Sequence, residues 1–249
     1  MKITGIKTRV FRIGENIFDF LYAALEANNI CLHERCVLVV TSKIVSLAEG
    51  RIVKRAQGQT KGDLITAEAE MDLGPLKQSS RLTLKHGLLL PSAGIDESNS
   101  ETGDFILLPK DPWDWAKKIH FELTQKLNLD FLGIVITDSR SQPLRRGISG
   151  VALAHAGFKG VVSRVGQKDL FGRPLSMTQI NCIDPLAAAA VFEMGEADEA
   201  RPLAWIEDLN LEFLSREQTR TFDFKNEIQI PPKDDMYANQ IEMMRALAT

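Results

Sequence analysis

Two short aliphatic runs, Cys36–Thr41 (CVLVVT) and Leu132–Thr137 (LGIVIT), constrain the fold more than any other feature of this chain. Each has the length and β-branched content of a single buried strand, and each breaks off into polar residues. Weaker strand patterns lie at Lys7–Ile13, at Arg81–Leu90 with an interruption at Gly87, at Phe105–Leu108, through Gly147–Val162 and at Leu203–Ile206. Helical spacing of apolar residues predicts helices over Asn16–Ala27, Asp63–Met71, Asp111–Lys126 and Pro185–Glu193, with a short helical end from Met236. Asp111 and Pro112 fit the N-cap and first helical position of the third. Strands and helices mix without a regular βαβ rhythm, so the expected class is α+β.

With 249 residues, 44% of them hydrophobic, the chain can bury a sizeable core without covalent staples. Cys31, Cys36 and Cys182 have no zinc-type spacing and read as reduced thiols. Basic residues number 30 against 33 acidic ones, which excludes a dominant nucleic-acid-binding role. The N-terminus lacks a basic segment followed by an apolar stretch and cleavage site, and no apolar run approaches a membrane span. The expected setting is cytoplasmic, without membrane or nucleic-acid partners.

Polar residues just past the buried runs are the candidate chemistry. Thr137-Asp138-Ser139 follows LGIVIT, and Ala93-Gly94-Ile95-Asp96-Glu97-Ser98-Asn99 sets an acid and an amide in one turn. Converging carboxylates from Asp96 and Asp138, with the Ser139 hydroxyl, would make a hard-oxygen site for Mg²⁺ or Mn²⁺. The competing reading makes both acids turn formers or caps. Thr41-Ser42-Lys43 follows CVLVVT and could hold phosphate oxygens, or be a solvated strand end; it is not a Walker loop. Gly195-Glu196-Ala197-Asp198-Glu199 adds three acids in a short loop. Arg140, Arg145 and Arg146 flank a proline turn and could pair with Asp138 or clamp carboxylates or phosphates. His33, His86, His120 and His155 show no paired ligand spacing, and no GxSxG nucleophile motif is present.

Taken in order, these segments resemble the coenzyme F-420:L-glutamate ligase family (F420-0:γ-glutamyl ligase). The matching residues are Val39–Ser46 with Ala48–Arg51, then Ala93–Asn99, Leu107–Pro109 with Asp111-Pro112, and Val135–Ser139. Arg146-Gly147, Asp169–Arg173 and Met194–Glu196 complete the set, which spans residues 5 to 209. The resemblance implies an α+β fold of mixed sheets with flanking helices, in an intertwined homodimer. It also implies a catalytic unit over 1–209 and a C-terminal extension over 210–249 packing on it.

The implied activity joins L-glutamate to a small carboxylate acceptor through an acyl phosphate, with GTP or ATP as co-substrate and Mg²⁺ or Mn²⁺ as cofactor. Asp96, Asp138, Ser139 and Glu196 would be metal ligands. Ser42, Lys43, Asn99 and Gly195 would contact the nucleotide, and Asp138 and Arg146 would be catalytic. Three departures stand out: Leu47 where many members carry lysine, Ser141-Gln142-Pro143 in place of Gly-Arg-Pro, and Ala197-Asp198-Glu199-Ala200 in a glycine-rich segment. They fit a divergent branch acting on a deazaflavin coenzyme precursor or a folate-like acceptor. The alternative is a nucleotide- or metal-binding protein of the same fold without catalysis.

Overall fold

The computed structural model describes residues 1–55, 58–100 and 103–248. A mixed five-stranded sheet forms its centre, with β1 (Lys2–Ile6), β12 (Leu203–Glu207), β2 (Cys36–Thr41), β8 (Leu132–Ser141) and β9 (Ile148–Ala156) side by side in that order. Strands β2 and β8 run parallel from Cys36 opposite Leu132 to Thr41 opposite Thr137, and the other pairs are antiparallel. The two aliphatic runs are therefore central neighbours, which explains their lack of a polar face.

Period-two alternation divides them between two layers. Val37 and Val39 face Ala187 and Ala190 of α5 (Ile183–Met194), while Leu38 and Val40 join the opposite cluster. That cluster holds Phe20 and Leu21 of α1 (Ile17–Ala27) with Ile119 and Leu123 of α4 (Pro112–Leu127). Each such fully buried side chain contributes about 1.5–3 kcal/mol. The helix starts are written locally: Asn16 caps α1, and the Asp111 carboxylate accepts the Asp114 N–H at 3.0 Å ahead of Pro112.

The long crossover from β2 to β8 holds α2 (Ser42–Ala48), β3 (Ile52–Val53), α3 (Lys61–Glu68), β4 (Met71–Pro75), β5 (Arg81–Lys85), β6 (Leu88–Pro91) and β7 (Phe105–Ile106). Strands β4, β5 and β6 form an antiparallel meander, and β3 pairs with β7. Leu64, Ile65, Ala93, Ile95, Phe105 and Leu107 pack into a separate small core there. Beyond β9, β10 (Val161–Ser163) and β11 (Gln179–Asn181) pair at the base of an exposed arm. The C-terminal segment adds α6 (Arg216–Thr221), α7 (Phe224–Ile228) and α8 (Ala238–Ala248), buries Phe213, Leu214 and Phe224, and lays α8 on β4.

This is the expected α+β arrangement, with local differences. The first strand is Lys2–Ile6, not Lys7–Ile13, because β12 offers pairing partners only from Glu207 back to Leu203. Strand β8 runs on to Ser141 because β9 continues to pair with it after β2 has left the sheet. Ser42 and Lys43, read as polar residues past a strand end, instead open a helix over Ser42–Ala48.

The buried His120 gives a pH prediction. Its Nδ1–H donates to the Leu132 carbonyl at 2.8 Å, and Nε2 has no hydrogen-bond partner. Burial lowers its pKa to about 4, against a partial upward pull from that carbonyl. The unfolded chain binds the proton first, so stability falls as pH drops below the free imidazole value near 6.5 and on towards 4. At pH 5 the loss is about 2 kcal/mol. A Tm series from pH 7.5 to 5 is expected to fall more steeply for wild type than for His120→Leu; parallel curves would refute it.

Candidate active site

The site forms where β2 ends and its chain turns into α2. The last β2–β8 pair is Thr41 opposite Thr137, so Asp138 and Ser139 continue on β8 beside the opening turn of α2. The β8–β9 register shifts between Ile136 and Thr137, a bulge at the point where the strand's facing side chains change from apolar to polar. The Asp138 side chain meets the Ser42 hydroxyl, and the Ser139 hydroxyl meets Glu196.

A second loop supplies Asp96. Ser92 and Ala93 take left-handed backbone angles (φ 52° and 53°), with Thr83 Oγ1 accepting the Ala93 N–H at 2.9 Å. Each such non-glycine residue costs of order 1 kcal/mol, strain held by the surrounding packing. A backbone bridge to Ile106 then fixes Asp96. Its Oδ1 accepts the N–H groups of Glu97 and Ser98 at 2.6 and 2.8 Å. Its Oδ2 takes the Ser98 hydroxyl at 2.8 Å and Lys43 Nζ at 2.7 Å. Asp96 is thus both a turn former and one half of an ion pair. Lys43 sits in the first turn of α2, where the helix dipole disfavours a cation, so this tertiary ion pair offsets the local penalty.

The loop after α5 closes the site. Asn99 Nδ2 donates to the Ala197 carbonyl at 3.2 Å and so joins the two loops. Glu199 folds back: its Oε2 accepts the Ala197 N–H at 2.8 Å, and its carboxyl carbon lies 2.3 Å from where a Gly195 side chain would begin. Gly195 takes φ 82°, a backbone angle that favours glycine, and a side chain there would displace the Glu199 carboxylate from its N–H.

The acids differ in protonation. Burial pushes the Asp138 carboxyl up to about 7; the Asp96 charge adds to this, and the Ser139 N–H, Lys43 and Ser42 oppose it. Burial also raises Glu196, with Asp96 and Glu199 adding repulsion against Ser139 and Lys43. Burial would raise Asp96 too, but Lys43 and the Ser98 donors outweigh it and hold that carboxyl below its usual range. Three acids thus share one lysine, leaving excess negative charge among carboxylate and hydroxyl oxygens. That donor chemistry suits a hard divalent cation. Among the described residues no three His, Cys, Asp or Glu side chains stand in a ligating arrangement, with Asp96 turned to Lys43.

The structure brings together Ser42, Lys43, Asp96, Asn99, Asp138, Ser139, Gly195 and Glu196. Arg146 differs: it is exposed in the turn joining β8 to β9 and pairs with none of these acids. Glu49 and Arg51, which sequence reading left without a role, brace the site. Glu49 accepts the Lys110 N–H at 2.8 Å and the Trp115 indole N–H, and Arg51 Nε donates to the Leu108 carbonyl at 3.1 Å.

These features define a mixed-sheet α+β protein with an acid- and hydroxyl-lined site shared by three loops. The sequence pattern of the F420-0:Gamma-glutamyl ligase family matches residues 5–208, and the chain belongs to that family. It is 32% identical to the coenzyme F420:L-glutamate ligase of Methanothermobacter thermautotrophicus, over 76% of this chain and 81% of that one. For the enzyme of the same name from Methanopyrus kandleri the identity is 33%, over 78% and 81%. The Archaeoglobus fulgidus enzyme is 34% identical, over 76% and 82%. Among the described residues no helix is long and apolar enough to cross a membrane.

Proposed function

We propose that this chain is a metal- and nucleotide-dependent ligase forming an amide between L-glutamate and a small carboxylate acceptor. The observation that carries the reading is the meeting of Asp96, Asp138 and Glu196 with Lys43 at the end of β2. The acceptor is a deazaflavin coenzyme precursor, in line with relatives named coenzyme F420:L-glutamate ligases, or a folate-like carboxylate. An acceptor carboxylate oxygen attacks the terminal phosphorus of GTP or ATP, and the nucleoside diphosphate leaves. The glutamate nitrogen then attacks the acyl carbon, sheds a proton, and phosphate departs.

Lys43 and Ser42 hold phosphoryl oxygens, and Asn99 and Gly195 shape the nucleotide's side of the cleft. Asp96, Asp138, Ser139 and Glu196 would hold Mg²⁺ or Mn²⁺, which when bound neutralises charge on the transferring phosphoryl group. Arg146, carried by the exposed turn beyond Asp138, is the candidate to clamp a substrate carboxylate. Residues 1–209 form the catalytic unit, and 210–249 are an extension of it. A homodimer is supported by the arm, where Leu170 and Phe171 are 99% and 83% exposed.

The test is thermal shift with GTP or ATP, with and without Mg²⁺ or Mn²⁺, followed by phosphate release with glutamate and deazaflavin or folate acceptors. Absence of any metal-dependent nucleotide shift in wild type would sink the ligase reading. A second reading is a family-fold protein without catalysis, and the altered last loop favours it: the Glu199 carboxylate occupies a loop N–H that a nucleotide oxygen could otherwise use, which weakens nucleotide binding there. Glu199→Gln removes the charge and keeps an acceptor. It is expected to tighten nucleotide binding roughly three- to tenfold at low salt. Titration calorimetry showing unchanged or weaker affinity would refute that role.

A further inference from the structure

At the far end of β8 from Asp138, α4 and α6 enclose an open depression of about 550 Å³ lined by Phe121, Gln125, Arg216 and Arg220. Six residues of extended strand separate Leu132, where this end begins, from Asp138, about 20 Å. The two arginines lie one turn apart on α6 and so share a face. Neither guanidinium has a carboxylate or carbonyl partner among the described residues.

The backbone that carries them is held in place. Ser215 and Gln218 form a capping box at the start of α6, the Asp130 carboxylate accepts the Arg216 N–H at 3.0 Å, and Thr219 between the arginines is fully buried. The Arg220 guanidinium lies 5.4 Å from the Phe121 ring centroid, and that ring packs edge-on against the buried His120. The charge facing the depression is positive in a chain with a net charge of -3. Asp130 lies nearby, but one of its oxygens is already committed to the Arg216 backbone.

We propose that this depression is a binding site for a small multivalent oxyanion, held by Arg216 and Arg220, with Gln125 as a further donor and Phe121 supporting the ligand's apolar part. Two guanidinium forks on one helix face match the paired oxygens of a phosphate or carboxylate. An open depression between two helices suits a small molecule or the charged tail of a larger one. The site is separate from the acid cluster and needs no metal, so it stands independently of the ligase reading.

Two probes distinguish the sources of such an anion: inorganic pyrophosphate and citrate, each titrated calorimetrically into the full chain in EDTA at low salt. At least one is expected to bind with a sub-millimolar to millimolar Kd that weakens as NaCl is added. Binding of pyrophosphate alone assigns a phosphate ligand, and binding of citrate alone a carboxylate. Arg216→Gln/Arg220→Gln, checked for an unchanged circular-dichroism spectrum, is expected to weaken binding about tenfold or more, each lost charge-assisted contact counting severalfold. Asp138→Asn is expected to leave it intact. No binding of either probe, equal binding by the arginine variant, or loss in Asp138→Asn would each overturn the proposal. Should the double variant misfold, Phe121→Leu with Arg220→Lys is the substitute. It retains the charge but loses the fork and ring, and binding at wild-type strength would again overturn the assignment.

Discussion

Asp138→Asn is expected to abolish the metal-dependent nucleotide shift and to lower any glutamate-ligating turnover by about a thousandfold or more, while the fold survives. The asparagine side chain fits the same space but cannot supply a carboxylate oxygen to a cation. The same variant should be more stable than wild type at pH 8 when no metal is present. Burial raises the folded carboxyl to about 7, so its cost is absent near pH 4 and grows as pH rises through 7. Three pKa units set an upper limit of about 4 kcal/mol, which solvent at this half-buried side chain reduces. Asp96→Asn should act in the opposite direction. Its folded pKa is depressed, so the contribution lost is present at neutral pH and disappears as pH falls through the carboxylate range. Melting curves of the three proteins at pH 4.5 and 8 in EDTA decide the matter. A variant of Asp138 that retains full turnover would remove that residue from the mechanism.

Gly157→Ala is expected to cost more than about 4 kcal/mol and to leave little folded protein. Gly157 follows β9 with φ 86°, and a side chain there would begin 1.9 Å from the Leu132 carbonyl oxygen and 2.8 Å from His120 Nδ1. That carbonyl is already the acceptor for His120, and the Gly157 carbonyl accepts the Leu214 N–H at 2.9 Å. One methyl group would therefore wedge apart the start of β8, α4 and the C-terminal segment. Gly166→Ala is the control: its φ is 82°, but nothing lies within 4 Å of the added atom. Only the backbone penalty of about 1 kcal/mol applies there. Urea unfolding of both variants reads the contrast, and equal losses would show that the junction yields.

Local chemistry made some of this legible. Asp111-Pro112 marks the start of α4 by a cap and a missing N–H, both satisfied within a few residues. CVLVVT and LGIVIT are apolar on both faces because helices cover both faces, and that information is present in each run alone. The extent of β8 was not legible. Asp138 to Ser141 are polar and continue as strand only because β9 supplies partners opposite them. Lys7–Ile13 alternates like a strand yet pairs with no strand among the described residues. Helix α2 was hidden because a lysine in a first turn opposes the dipole, and its compensating partner, Asp96, is 53 residues away in sequence.

The candidate site divides in the same way. Chain order alone set which residue types were available: acids, hydroxyls and a lysine after apolar runs, in an order that marks the ligase family. Tertiary structure decided which of them share charge. It turned Lys43 onto Asp96, set the half-buried Asp138 beside Ser42, folded Glu199 over Gly195 and left Arg146 in solvent. The reason is one of range. Capping and alternation are settled within a few residues, whereas a carboxylate's protonation depends on burial and on charges that only the closed crossover brings near.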